Sequence, residues 1–244
     1  MSDKKSNAQQ RIKERREKAR QSRKRKRLFT IIGFILGTIL FMGILFYQSL
    51  NPMSTLIKPG KREHPSPNGN TLGDPDAPVK IIEYAEFKCA YCAKYWRETE
   101  PELIEEYVST GKASYTFRIF LPSVTDDAQL SAEAVYCAGD QGKFWEMRDV
   151  LFANYYYSIS PGNSFSEDVL RQLAKMSGAD PDIFSSCLSE RKYQEQVNQD
   201  IADARAMDVD ATPYFFINGE SIRGAYPLSE FQQIIDRELA SIGQ

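Results

Sequence analysis

One histidine in 244 residues leaves little room for imidazole chemistry, and that residue, His64, stands among prolines instead of in a motif. No glycine-rich phosphate loop is present either, so the chemistry built on such loops is not indicated. Metal binding has thin support. Cys89-Ala90-Tyr91-Cys92 has the C-x2-C spacing of half a zinc site, but only Cys137 and Cys187 remain as sulfur ligands, each alone. A zinc site would have to gather them from distant segments. No metal, flavin, nucleotide or other cofactor is therefore expected.

Charge is missing from one stretch altogether. Leu28 to Tyr47 is a run of 20 residues with no charged side chain. At ~1.5 Å per residue such a run spans the ~30 Å hydrocarbon core of a bilayer. Residues 1–27 hold 13 Lys/Arg against 3 Asp/Glu, while the rest of the chain holds 18 against 30. A basic flank predicts a cytoplasmic tail at 1–27, a transmembrane anchor at 28–47 and everything beyond it outside the cytoplasm. A cleaved signal peptide is the rival reading. Its apolar core is usually ~7–15 residues and ends near small residues of the A-x-A kind, whereas Gln48-Ser49-Leu50-Asn51-Pro52 follows here. The basic stretch is expected to orient the chain and touch anionic lipid, not to bind nucleic acid. Gly33 and Gly37 form a weak G-x-x-x-G signal. Residues 48–77, rich in Pro and Gly, read as a flexible, solvated tether.

With that address, the C-x-x-C pair takes on another meaning. It follows the apolar strand Val79-Lys80-Ile81-Ile82-Glu83-Tyr84 and opens a helical pattern through Tyr95, Trp96, Leu103 and Tyr107. A cysteine in the first turn faces unpaired N–H groups and the positive end of the helix dipole, which stabilise a thiolate. Such placement lowers a thiol pKa from about 8.5 to ~3.5–7.5. The second cysteine, one turn on, is near enough to close a disulfide with it. A purely structural disulfide is the blander reading, although so short a loop removes little unfolded-state entropy. Outside the cytoplasm disulfides persist, and such a motif can be an oxidant.

The remaining pattern is β-α-β, a helical block, then β-β-α. Strand 79–85 leads into a helix ending near Gly111, and 114–120 alternates as a second strand in parallel with the first. From about 126 to 207 the pattern is helical, in segments 126–138, 143–154, one capped by Ser166 and ending before Gly178, 181–190 after Asp180-Pro181, and 191–206. Tyr214-Phe215-Phe216-Ile217 is a buried strand, Asn218-Gly219 a two-residue hairpin turn, 221–224 the return, and 228–241 the last helix.

Glu83 to Cys92 (Glu-Tyr-Ala-Glu-Phe-Lys-Cys-Ala-Tyr-Cys), followed by Ala211-Thr212-Pro213-Tyr214-Phe215-Phe216-Ile217-Asn218-Gly219, resembles the thioredoxin superfamily. The helical block narrows the resemblance to its DsbA-like thiol:disulfide oxidoreductases. Gly73-Asp74-Pro75-Asp76-Ala77-Pro78-Val79 and Ala138-Gly139-Asp140-Gln141-Gly142-Lys143-Phe144-Trp145 also look like that branch, so the likeness covers about 73–242. It implies an α/β thioredoxin-like fold over 78–244 with a helical insertion at about 126–207, preceded here by a single transmembrane helix.

By that resemblance Cys89 is the nucleophile and Cys92 the resolving cysteine. Pro213 matches the family's cis-proline, and Thr212 offers its backbone to an extended substrate beside Ala90 and Tyr91. Standing alone, Pro213 reads as a strand-opening proline. Glu83 matches a buried acid that shuttles the proton of Cys92; an ordinary strand glutamate is its other reading. Ala90-Tyr91 departs from the Pro-His pair of the strongest family oxidants, which leaves the direction of electron flow open. Some relatives carry a second cysteine pair, so a structural disulfide is expected between Cys137 and Cys187, worth roughly 4 kcal/mol for a loop of about 50 residues. The alternatives are two unpaired buried thiols and a second redox relay. The implied partners are cysteine-containing exported proteins and a quinone-linked membrane reoxidant, with the protein itself a monomer.

Overall fold

The computed structural model describes residues 29–43 and 56–243. Residues 29–43, here α1, are helical, as an uncharged run of apolar residues permits. The rest of the run read as an anchor lies outside the described residues, as do the basic tail 1–27 and the start of the tether. Among the described residues no helix is long and apolar enough to cross a membrane.

A second unit spans Thr55–Gln244. Its five-stranded sheet runs in the order β1-β3-β2-β4-β5, with β1 Thr71–Leu72, β2 Val79–Ala85, β3 Ala113–Ile119, β4 Tyr214–Ile217 and β5 Glu220–Arg223. β2 and β3 are parallel, as expected for strands joined by a helical crossover, and the other pairs are antiparallel. Register places Ile81 beside Tyr115 and Ile217, and Glu83 beside Phe117 and Phe215. Strand alternation thus sends one row of side chains, Glu83 included, to the same covered face. The Asn218-Gly219 turn closes β4 onto β5 with both residues at positive φ (48° and 93°), which asparagine and glycine tolerate best.

Ala90–Glu98 (α2) follows β2 and buries Cys92, Ala93, Tyr95 and Trp96. The expected single helix to Gly111 is instead broken. Pro101, which lacks an N–H and clashes with the preceding turn, falls in the first turn of a new short helix, Glu100–Leu103 (α3). A π-helical turn over Ile104–Val108 completes the crossover. The insertion then comprises α4 Asp126–Gly139, α5 Phe144–Ala153, α6 Tyr155–Ile159, α7 Glu167–Ser177, α8 Pro181–Ser189 and α9 Gln194–Ala206. Asp180 caps α8 by accepting from the N–H groups of Asp182 and Ile183. Ser166 stands at the α7 N-cap without a side-chain cap bond. The last helix, α10, is Leu228–Ser241.

Two aromatic clusters hold the helices to the sheet. Tyr95, Phe215 and Phe231 join α2, β4 and α10 with centroids 4.5–5.4 Å apart. Phe87, Phe117 and Phe152 join the sheet to α5, with Phe87 5.0 Å from Phe152. Cys137 and Cys187 tie α4 to α8 through a disulfide with Cα atoms 5.8 Å apart.

The segment read as a solvated tether differs from residue 56 onward. Leu72 is buried, Ile57 exchanges hydrogen bonds with the Asn154 side chain at 2.8 Å, and Arg62 lies 4.5 Å over the Trp96 ring. Proline and glycine composition signals an irregular path, but an irregular path can still lie on a core. Gly73 shows how close this one runs: a Cβ there would meet Val108 Cγ1 at 2.7 Å and the Ala113 carbonyl at 2.9 Å.

Candidate active site

Where β2 ends, the chain turns at Lys88 and Cys89 becomes the N-cap of α2, with φ −88° and ψ 120°. Its Sγ accepts the Cys92 backbone N–H at 3.2 Å, the role a serine or aspartate side chain fills at other helix starts. That geometry acts on the thiol. The hydrogen bond from the Cys92 side chain, then that from the Thr212 side chain, then the backbone N–H groups of Cys92 and Tyr91, bring Cys89 down from 9.0 to about 6 against the opposing effect of burial. A substantial thiolate fraction follows at neutral pH.

Cys92 is its opposite. It is fully buried and its thiol is pushed well above 9.0, first by burial, then by its hydrogen bond to Cys89 and the nearby charges of Cys89 and Glu83. Both thiols are free. One sulfur is a half-exposed nucleophile, the other a buried group that holds its proton.

Thr212 and Pro213 come from the far end of the chain to the same place. The Cys89 thiol donates to the Thr212 carbonyl at 3.3 Å, and the Thr212–Pro213 peptide bond is cis. Pro213 is buried, and its carbonyl accepts from Gly224 N–H at 2.9 Å, which fixes the loop to the end of β5. Ala90 and Tyr91 are exposed beside the nucleophile, Tyr91 at 65%.

Glu83 is buried on the inner face of β2, 1% exposed. Burial, with the charge of Glu100, raises its carboxyl from 4.5 to about 8, opposed by Arg148 and by the Tyr115 hydroxyl that donates to it at 2.5 Å. Near neutrality it is a protonated acid that can give and take a proton.

The structure adds residues that the sequence did not single out. Glu86 is raised to about 7 by burial and by the Cys89 charge, with Lys88 opposing. Tyr155, from α6, is raised by burial and by Cys89. Arg148 and Glu100 stand behind Glu83. Glu86 lay three residues from the cysteine and could have been flagged on that ground. Tyr155 and Arg148 come from the insertion, and no local pattern announces them. Among the described residues no group of three or more His, Cys, Asp or Glu side chains is arranged to hold a metal ion.

A family model described as "Thioredoxin" matches residues 65–237, most of the chain. The chain belongs to the thioredoxin family. A probable disulfide bond formation protein D of Bacillus cereus is 27% identical over 213 residues, covering 85% of this chain and 94% of that protein. An Na(+)/H(+) antiporter NhaA 3 of Salinispora tropica is 34% identical over 170 residues, which are 69% of this chain but only 24% of the antiporter. The chain thus spans 24–30% of the length of the antiporters it matches.

Among solved structures, alpha-DsbA1 of Wolbachia pipientis superposes with a TM-score of 0.64 at 28% identity, covering 73% of this chain and 94% of that one. Oxidised BdbD of Bacillus subtilis gives 0.62 at 22% identity, covering 74% and 100%, a likeness of fold. The thioredoxin-like fold with its helical insertion is therefore the DsbA-like one.

Proposed function

We propose that this chain is a protein thiol:disulfide oxidoreductase, held outside the cytoplasm by an anchor at 28–47, that introduces disulfides into exported proteins. The observation that carries the reading is the unequal pair: Cys89 at a helix N-terminus at about 6, Cys92 buried and held well above 9.0. A thiolate of that kind is a good leaving group, so its disulfide is readily passed on.

In the oxidised protein a substrate thiolate attacks the Cys89 sulfur. The Cys89–Cys92 bond breaks, and Cys92 leaves with the electron pair and takes a proton, for which protonated Glu83 is the buried source. A second substrate thiolate then attacks the substrate sulfur of the mixed disulfide, which releases Cys89 thiolate and the oxidised substrate. Two electrons have moved from substrate to the pair. A quinone-linked membrane protein is the proposed acceptor that restores the disulfide, and one monomer suffices for the cycle. The exposed Ala90 and Tyr91 and the Thr212 backbone would receive an extended substrate segment. The relatives named for disulfide bond formation support this reading. Ion transport is not carried over, because the aligned part is 24% of the antiporter.

Ala90-Tyr91 favours a second reading, a reductase or isomerase of the same fold, since no histidine cation stands between the cysteines to strengthen the oxidant. Trapping decides between them. A Cys92→Ser variant of the full chain, expressed in cells, should accumulate mixed disulfides with varied exported proteins through Cys89. Trapping confined to cytochrome-assembly clients would overturn the oxidase in favour of the reductase. Protease added to intact spheroplasts should digest the domain and spare residues 1–27. A protected domain would remove the proposed location.

A further inference from the structure

The arm ahead of β2 carries Arg62 and His64 into the interior. Arg62 donates to the Trp96 carbonyl at 2.7 Å and reaches the Glu100 carboxylate at 3.4 Å. His64 Nε2 lies 2.9 Å from Asp149 Oδ2. The other oxygen of Asp149 accepts from Trp96 Nε1 at 2.8 Å and from Arg148 Nη2 at 3.2 Å.

Arg148 is the hub. It is wholly buried and forks onto Glu100, Nη1 at 2.9 Å from Oε2 and Nη2 hydrogen-bonded to Oε1. The same Nη1 lies 4.0 Å from Glu83 Oε2. Glu83, Glu100 and Asp149, each 3% exposed or less, thus share one fully buried guanidinium. Charges in so poorly screened an interior couple over several ångströms, and an unmatched one is costly. Arg62 supplies the second cation and His64 a further donor. Without Arg62, Glu100 and Asp149 would have Arg148 as their only guanidinium, and without His64 Asp149 would lose a further partner; either way the negative potential at Glu83 would rise. The other groups around Glu83 are the Tyr115 hydroxyl on β3, Tyr95 on α2, and the two cysteines, and the arm changes none of them.

We propose that Arg62 and His64 are positioning residues of the redox site: by pairing with Glu100 and Asp149 they leave Arg148 to face Glu83, and so set how readily that carboxyl exchanges a proton with Cys92. The inference rests on Glu83 as the proton carrier of the proposed reaction. Its direction is fixed by electrostatics. Loss of either arm residue disfavours ionised Glu83 and moves its titration upward.

The test uses the full-length reduced protein and infrared difference spectra across a pH series. The protonated carboxyl band of Glu83 is assigned by its loss in Glu83→Gln. Arg62 and His64 border a cavity of about 760 Å³, so shortening them does not hollow out a packed core, whereas Arg148 variants are prone to misfold. Arg62→Met and His64→Ala should each raise the midpoint, Arg62→Met by about 0.5–1 pH unit. Arg62→Lys should return most of that change. A role confined to holding the arm in place would lower the melting temperature and leave the midpoint where it is. Unchanged midpoints, in a protein that still oxidises dithiols, overturn the inference and leave the proposed function standing. Raised midpoints, in a protein that oxidises no dithiol, support the inference and overturn the function.

Discussion

The Thr212 carbonyl accepts a hydrogen bond from the Cys89 thiol at 3.3 Å, across 123 residues of sequence. The contact belongs to the protonated sulfur. A thiolate has no proton to give, so ionisation frees that carbonyl for the N–H of an incoming chain. One atom thereby ties the protonation state of Cys89 to the surface beside it.

Thiol reactivity tests the asymmetry directly. Alkylation of the reduced protein with iodoacetamide should follow a single ionisation near pH 6 at Cys89, with Cys92 unlabelled until the protein unfolds. In Cys92→Ala the midpoint should rise, because the side-chain hydrogen bond to Cys89 is lost while the backbone N–H remains. Equal labelling of both cysteines would contradict the assignment.

Glu83 makes a stability prediction with a definite sign. Its carboxyl is at about 8 when folded and near 4.5 when unfolded, so the folded state holds the extra proton between those values. Stability from this group is greatest at low pH and falls as pH rises from about 4.5 to 8. Each pH unit between the folded and unfolded values corresponds to ~1.4 kcal/mol. Glu83→Gln should therefore stabilise the domain at pH 8 by roughly a few kcal/mol and have little effect at pH 4. Formation of the mixed disulfide, the step in which Cys92 leaves, should slow in the same variant by about 10²-fold, the scale of a lost acid–base group. Thermal melts and stopped-flow measurements at both pH values check the two halves.

The redox potential follows from the thiolate. A Cys89 at about 6 lies between the thioredoxin-like ~7 and the strong-oxidant ~3.5. The Cys89–Cys92 couple should then fall between those proteins, about −200 to −120 mV, in a glutathione-buffer titration. A value near −270 mV would instead mark a reductase.

The bridge from Cys137 to Cys187 should resist reductant longer than a Cys89–Cys92 disulfide, since its sulfurs are buried between α4 and α8 and Cys89 is accessible. A Cys137→Ala/Cys187→Ala variant should lose about 2–4 kcal/mol of stability and keep its disulfide-exchange rate. Alkylation with peptide mapping during a reductant titration gives the order.

Local patterns carried the fold where they repeat. The strand-to-helix switch at Cys89, the Asp180-Pro181 cap and the Asn218-Gly219 hairpin each rest on neighbours within four residues, so each was legible in the sequence. Pro101 was visible too, yet the continuing apolar spacing masked the break it makes in the crossover helix. The arm was not legible. Its hold on the domain comes from single residues, Ile57, Arg62, His64 and Leu72, each meeting a partner far away in sequence, and such contacts leave no period. The same applies to the site: the cysteines and Pro213 sit in motifs, while Arg148 and Tyr155 reach it only through the packing of the insertion. Glu83 lies between, since strand alternation aims it inward but does not say what it meets there.

Two-residue β1 has a consequence out of proportion to its length. It lies along the outer edge of β3, pairing Thr71 and Leu72 with Thr116 and Tyr115, while Asn70 exchanges hydrogen bonds with both the N–H and the carbonyl of Phe117. An uncovered strand edge is a template on which other chains add themselves. A soluble fragment begun at Gly73, where the family likeness in the sequence begins, would strip away this cover together with Arg62 and His64. Such a fragment should self-associate through β3 as its concentration rises, whereas one begun at Thr55 should stay dispersed. For a protein proposed to handle unfolded clients, cover over the middle of β3 limits the edge on which the chains it serves could add themselves.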